Sequence, residues 1–547
     1  MVFINSWIAF SQSLHLKIIG STEIETQYID SIGYKKTHPN IKSVTEENNI
    51  VFQTILKKGY IECQQTDLSK TNDSSYVYQY TLNSKIKTIH IYIGKENESF
   101  INSSNTIKND STTIPFENCE EFLNEIMKKR ESAGFSLAKT KLNNIEKKGD
   151  HLVAQLNTSN ESKRQLNNIA IIGYDKFPIG HKKNLLRNYR DKTFNQKTLE
   201  KIYTDIDKYR FVKQTKYPEI LFKKDSTIIY VYLEKNKANS FDGYLGFTND
   251  ENKKMILSGY LDLTLNNILN SGEKFALYWK SDGQQQKTFN LGLDLPYLFN
   301  SPLGLKTELN IFKQDSTFQN TRTSIELGYF FNYNTRTYIG YQSTESSDIQ
   351  NSNTESLKDY TNHFTTVSLD YIDYKNDDFL FPDKTNINLK IGTGKRNANA
   401  LQNNQFFSSL NFKHNFYLNP KNCISIKSQN YYLISAQYII NELKQFGGIN
   451  SIRGFNENSL QGNRFNALLT EYRYILAPNL YIHSIIDYAN IQDKTANSND
   501  NLLGIGIGLG LLSKNGMFNL VYANGQSNNQ NLRLSNSIVH ISFKAIF

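Results

Sequence analysis

The chain has few cysteines, no long apolar run and none of the short motifs that mark common catalytic sites. Its three cysteines, Cys63, Cys119 and Cys423, are widely spaced and odd in number. That fits neither a disulfide framework nor a paired metal site, and all three read as packing residues. No stretch approaches the roughly 20 apolar residues that a membrane-crossing helix needs. The best candidate, 502–512, is too short and broken by glycines. Helical crossing is excluded; crossing by strands is not. HExxH, GxSxG, P-loop and CxxC patterns are all absent. The histidines are scattered and the carboxylates form no recognisable acid–base pair, so neither an enzyme, a metal nor a cofactor is expected. His483 and His540 fall in strand-like segments, where a hydrogen-bonded, inward-facing role suits them better than metal ligation.

What the chain does have is aromatic residues: 34 Tyr and 33 Phe dominate an aromatic share of 13%, although mean hydropathy is only −0.54. Strands that alternate polar and apolar residues produce this combination, because averaging hides an apolar face. At 547 residues several domains are expected. Net charge is +10, with basic clusters at Lys128-Lys129-Arg130 and Lys182-Lys183. No nucleic-acid motif accompanies the charge, so nucleic acid is not expected as a partner. Anionic lipid headgroups or solvated faces account for it better. Residues 1–13 are mostly apolar, and Ala9-Phe10-Ser11 resembles an export cleavage site without a basic region before it. A truncated or weak signal peptide and a buried first strand are the two readings.

The hydrophobic period changes near residue 237. Before it, three units of roughly 75 residues can be aligned. They cover 14–84, 85–162 and 163–236. Each opens on a short β-run ending in glycine: Leu14–Gly20, Ile86–Gly94 and Leu166–Gly173. Helical stretches follow at Val44–Lys58, Phe116–Ser132 and Gln196–Tyr209; in the second, Phe122, Ile126 and Met127 form an apolar stripe. Closing strands include Ser75–Leu82, His151–Asn157 and Thr227–Leu233. A β-α-α-β-β order makes a small two-layer domain. Its edge strands can pair with an extended chain, or the modules can serve only as spacers.

From Phe241 to Phe547 nearly everything alternates at period two, as in Ile325, Leu327, Tyr329, Phe331 and Tyr333. Polar stretches at Thr344–Ser356 and Ala496–Asn501 read as loops. Segment 237–547 has room for about 16 antiparallel strands, a transmembrane β-barrel. Gly504, Gly506, Gly508 and Gly510 share one face of a strand and leave room inside, while Ile505, Ile507, Leu509 and Leu511 face lipid. In the last strand Val539, Ile541, Phe543, Ala545 and Phe547 share a face.

Arg453 is the exception in an otherwise uncharged, glycine-flanked turn, Phe446–Phe455. A charge inside a membrane barrel is costly unless paired. Glu471 and Asp487, on the next two strands, can each point inward and accept it. A solvent-exposed loop arginine is the other reading.

In this order the residues resemble the BamA/TamA superfamily of outer-membrane assembly and translocation proteins. Ile452-Arg453-Gly454-Phe455 is similar to that family's sixth-loop tip, and Phe379–Thr385 to its Phe-Pro hairpin. The repeats resemble its polypeptide-transport-associated (POTRA) domains. The resemblance implies a loop folded back into the barrel, with Arg453 locked by Glu471 and Asp487. It also implies a weak seam between the first strand (Phe241, Gly243) and the last (Phe543, Phe547). The terminal signal departs from the usual pattern in having Ser542 and Ala545. Three modules look more like the TamA branch than the central insertase. The implied role is insertion of client β-barrels through the seam, with outer-membrane lipid, unfolded outer-membrane proteins and periplasmic or lipoprotein assembly factors as partners. The alternatives are a two-partner-type secretion pore and a structural or adhesive barrel.

Overall fold

A computed structural model describes residues 13–101, 110–159, 162–249, 255–281, 286–351, 354, 356–375, 378, 380–398, 401–528 and 530–547. The export-site reading at Ala9-Phe10-Ser11 lies outside them. The chain forms two compact units, 1–165 with 193–197, and 166–192 with 198–547.

The first unit holds two α/β modules. In one, strands Leu14–Gly20 and Ser75–Thr81 lie parallel, and helices Glu23–Ile32 and Ile41–Lys57 supply Ile29, Val44, Val51 and Ile55 to the core. Thr22 and Glu25 close a capping box on the first helix, and the Asn40 side chain caps the second, so each helix start satisfies its own N–H groups. In the other module Thr88–Tyr92 runs parallel to His151–Thr158, over the single α-helix Cys119–Ser132. Among the described residues of that module the expected second helix is absent. In its place stand a 3₁₀ turn, Lys95–Phe100, and a strand, Ser111–Pro115. The Asn97 amide bonds the Ile93 carbonyl at 2.8 Å, a local side-chain bond that competes with helix formation. Met127 does not join the apolar stripe: it is 44% exposed, whereas Phe122 and Ile126 are buried. One residue beyond Ile126 lies about 100° further round the helix, off the stripe.

The second unit begins with a module in full β-α-α-β-β order. Its strand Leu166–Ile172 lies parallel to Thr227–Lys235, which pairs antiparallel with Val212–Phe222; the helices are Ile179–Tyr189 and Gln196–Asp207.

Sixteen antiparallel strands then close a barrel. They are β1 (Ser240–Asn249), β2 (Met255–Asn266), β3 (Lys274–Ser281), β4 (Gln286–Leu295), β5 (Leu303–Gln314), β6 (Phe318–Phe330), β7 (Thr335–Asp348), β8 (Tyr360–Tyr374), β9 (Asp383–Ala398), β10 (Leu401–Asn419), β11 (Asn422–Ser435), β12 (Arg464–Ala477), β13 (Leu480–Asp493), β14 (Ser498–Ser513), β15 (Gly516–Gln526) and β16 (Ile538–Ile546). An even strand count puts both barrel ends at one rim, the near rim; the loop 436–463 leaves from the far rim. Along β6 the outward Ile325, Leu327 and Tyr329 are exposed while Ser324 and Glu326 are buried. An apolar outside over a polar inside calls for lipid around the wall. Two stretches expected as loops are partly strand: β7 continues to Asp348 and β14 starts at Ser498. There both faces of the pleat carry polar side chains, and the ladder needs no apolar residue to continue.

The full-order module meets the near rim through His181. Its ring sits among Phe177, Tyr209 and Phe211 of the module and Tyr297 and Tyr333 of the rim turns, with centroids 4.7 to 6.4 Å away.

Candidate functional site

The loop 436–463 folds into the lumen. Lys444–Phe446 and Leu460–Gly462 form a short antiparallel ribbon, and Phe446 stacks on Phe465 of β12 with centroids 3.9 Å apart. Gly447 and Gly448 adopt φ of +103° and +93°, which glycine reaches without strain, and so turn the chain toward the wall. Ile452 and Phe455 are buried beside Leu469, Ala489 and Leu502. Apolar side chains thus carry the tip, and Arg453 is held among them.

Arg453 meets both expected carboxylates. Its Nε donates to Asp487 Oδ2 at 2.7 Å and its Nη2 to Oδ1 at 2.6 Å, a bidentate fork. Its backbone N–H donates to the same carboxylate at 3.1 Å. Nη1 donates to Glu471. Asp487 is completely buried, so its charge is balanced by this fork alone and not by water. Glu471 is shared: Arg473 Nη2 approaches its other oxygen at 2.6 Å. The cluster is therefore two arginines on two carboxylates, close to neutral, which is how a charge becomes tolerable there. Two glycines make room for it: Gly504 of β14 and Gly525 of β15 are ladder partners, and the tip backbone lies on them.

The loop has two further attachments for which spacing offered no signal. Upstream, the Asn441 amide donates to Ser346 Oγ and to the Lys358 carbonyl, each at 2.7 Å, and Glu442 pairs with Arg396 of β9 at 2.6 Å, fully enclosed. Downstream, Tyr278 of β3 donates to Glu457 at 2.9 Å and Lys280 pairs with it. Each partner is remote in sequence, on a strand or loop that only the folded barrel brings near.

The remaining singled-out residues sit at the closure of the barrel. Phe241, Phe543 and Phe547 point outward, exposed at the near-rim end. Gly243 lies so close to the Tyr260 carbonyl that a Cβ would stand 2.5 Å from it. Among the described residues, β1 and β16 share only two ladder pairs, Ser240 with Ile546 and Phe241 with Ala545, next to a mutual backbone bond between Asn239 and Phe547. The flanking ladders are longer: ten pairs join β1 to β2 and eight join β15 to β16. From Asp242 on, the seam-facing backbone edge of β1 has no ladder partner among the described residues. His540 is inward-facing on β16, and His483 lies 3.9 Å from Glu471.

No protein-family model and no curated protein matches the sequence. Solved structures do. BamA from Haemophilus ducreyi lacking POTRA domains 1–3 aligns over 78% of this chain and 93% of its own, at 15% identity and a TM-score of 0.46. CdiB from Escherichia coli aligns over 100% and 93%, at 13% identity and a TM-score of 0.47. CdiB from Acinetobacter baumannii aligns over 99% and 91%, at 12% identity and a TM-score of 0.52. The last likeness, nearly full length on both sides, shows that this chain shares the fold of that protein.

Proposed function

We propose that the chain is an outer-membrane assembly factor that inserts client β-barrels through the seam between β1 and β16, and that its three α/β modules are POTRA domains receiving extended clients in the periplasm. The observation that carries the reading is the short seam. A lipid-facing strand edge without partners is expensive, because hydrocarbon offers its N–H and C=O groups nothing. A client strand that pairs with the edge removes that cost, and burial of the client's apolar face in lipid drives the reaction without a nucleotide. Loop 436–463, locked through Arg453, keeps the lumen filled while the wall parts. Lipoprotein or periplasmic factors would deliver clients to the modules.

The test is reconstitution of the full chain in liposomes with a urea-unfolded barrel client. Folded client is read by protease protection and heat-resistant gel mobility. Accelerated folding is expected, abolished by a Phe241→Cys/Ala545→Cys disulfide across the seam and restored by reductant. No acceleration over empty liposomes, or insertion indifferent to the disulfide, would overturn the reading. The competing role of a secretion pore would instead appear as passage of a soluble protein and an ion conductance when the loop is displaced.

A further inference from the structure

The unpaired part of the seam is bridged from inside. Arg453 and Glu457 belong to one tip of the loop, only four residues apart. Arg453 is fixed to Asp487 of β13 and Glu471 of β12, and Gly454 rests on Gly525 of β15. All of these lie on the β16 side of the seam. Glu457 is fixed to Tyr278 and Lys280 of β3, on the β1 side. The tip therefore crosses behind β16, β1 and β2 and holds a strand on each side.

The height of this crossing matters. Lys280 pairs with Tyr260 of β2, and Tyr260 with Tyr244 of β1. Tyr244 lies beyond Phe241, where the seam ladder has ended. On the opposite edge, the inward-facing His540 of β16 has its Nε2 buried without a hydrogen-bond partner among the described residues. The clasp thus stands behind the stretch in which no backbone bond joins the two edges.

We propose that Glu457 is the positioning residue of a strap across the seam: with Arg453 anchored on β12 and β13, its grip on Lys280 and Tyr278 holds β1–β3 against β16 and limits how far the wall opens. This rests on the seam-opening reading above and specifies what restrains the opening. The grip is partly open to lumenal water, with side-chain exposures of 36% for Lys280 and 31% for Glu457. A restraint of that kind is worth only about a 1.5- to five-fold shift in a two-state population, strong enough to favour the closed wall and weak enough to be released.

The experiment measures the seam without any client. The three cysteines are replaced (Cys63→Ser, Cys119→Ser, Cys423→Ala), and spin labels are placed on the outward-facing positions Leu263→Cys of β2 and Ile541→Cys of β16. The full chain is studied in lipid nanodiscs by double electron–electron resonance, with heat-resistant gel mobility as the folding control. Glu457→Gln and Lys280→Met are each expected to move the distribution toward longer distances, raising the open fraction about 1.5- to five-fold. The exchange Glu457→Lys/Lys280→Glu is expected to restore much of the closed population. Tyr278→Phe removes one hydroxyl and is the variant to use if the charge variants fail to fold; a smaller shift in the same direction is expected. A distribution unchanged in folded variants, or a charge exchange that opens the seam as far as the single variants do, would overturn the strap. A seam that widens as expected while client insertion stays unaffected would overturn the insertion role and leave the strap standing.

Discussion

The carbonyl oxygen of Arg453 lies against Gly504: a Cβ on Gly504 would stand 2.3 Å from it. Gly525, the ladder partner of Gly504, is as tightly covered, with the Gly454 carbonyl oxygen 2.4 Å from where its Cβ would be. Both encounters are with backbone, which cannot swing aside as a side chain can. Gly504→Ala and Gly525→Ala should therefore lift the tip off the wall and weaken the Arg453 fork. An overpacking cost of about 1–3 kcal/mol is expected for each. It should appear as a lower temperature for loss of the compact gel form. Gly506→Ala is not a clean control, because its Cβ would meet the Tyr522 carbonyl at 2.3 Å; Gly292→Ala, with nothing nearer than 4.0 Å, is.

Removing the charge on Arg453 should cost more than its size suggests. Arg453→Ala strips the buried Asp487 carboxylate of its guanidinium partner, a situation that costs about 3–5 kcal/mol. Arg453→Lys should recover little, since a point-like ammonium cannot reproduce the planar fork on both carboxylate oxygens. Glu471→Gln should be milder than Asp487→Asn, because Arg453 retains its bidentate bond to Asp487 when Glu471 is neutralised. Urea or thermal unfolding midpoints of the four variants would be compared. An Arg453→Lys protein as stable as the parent would contradict this account.

The barrel was legible because period-two alternation is a local property, and Val539, Ile541 and Phe543 show it in a single strand. The approach of Arg453 to Glu471 and Asp487 was legible because the two carboxylates lie on the two strands that follow the loop carrying Arg453, where antiparallel register fixes which side chains share a face. Glu442 and Glu457 were not. Their partners, Arg396 and Lys280, sit on β9 and β3, and nothing in the spacing of the chain says which inward-facing residues a loop will meet once the wall closes on itself. The 3₁₀ turn at Lys95–Phe100 escaped for a related reason, since the Asn97 side chain there bonds the Ile93 carbonyl and also meets Arg130 and Thr158, which are remote in sequence.

The pair Arg396–Glu442 offers a sharper test of the upstream anchor than deletion alone. Both side chains are essentially inaccessible, at 2% and 1% exposure, so desolvation of each is tied to the presence of the other. Arg396→Leu and Glu442→Leu should each destabilise by about 3–5 kcal/mol, while the double variant should cost less than either single one. Proteolysis of the far-rim loop in detergent should rank the proteins in the same order. Additive costs would mean that the two residues act independently.

His181 gives the contact between the third module and the near rim a pH dependence. Its ring is enclosed by Phe177, Tyr209, Phe211, Tyr297 and Tyr333, and both nitrogens are buried without a hydrogen-bond partner among the described residues. Burial, helped by the positive charge of Arg336, pushes the imidazole down to about 3. An unfolded or undocked histidine takes up its proton near 6.5, so between these values the open state binds more protons than the closed one. Stability is then fully present above about pH 6.5 and falls as pH drops, by about 1.4 kcal/mol for each unit within the window. His181→Phe keeps the aromatic packing and removes the titration, so its stability should be flat where the parent's declines. Limited proteolysis of the linker between module and barrel at pH 7.5 and pH 5.0 would measure it. Cleavage of the parent should accelerate at the lower pH while that of His181→Phe does not. Gly272→Ala, whose Cβ would fall 1.9 Å from the imidazole, should release the module at both.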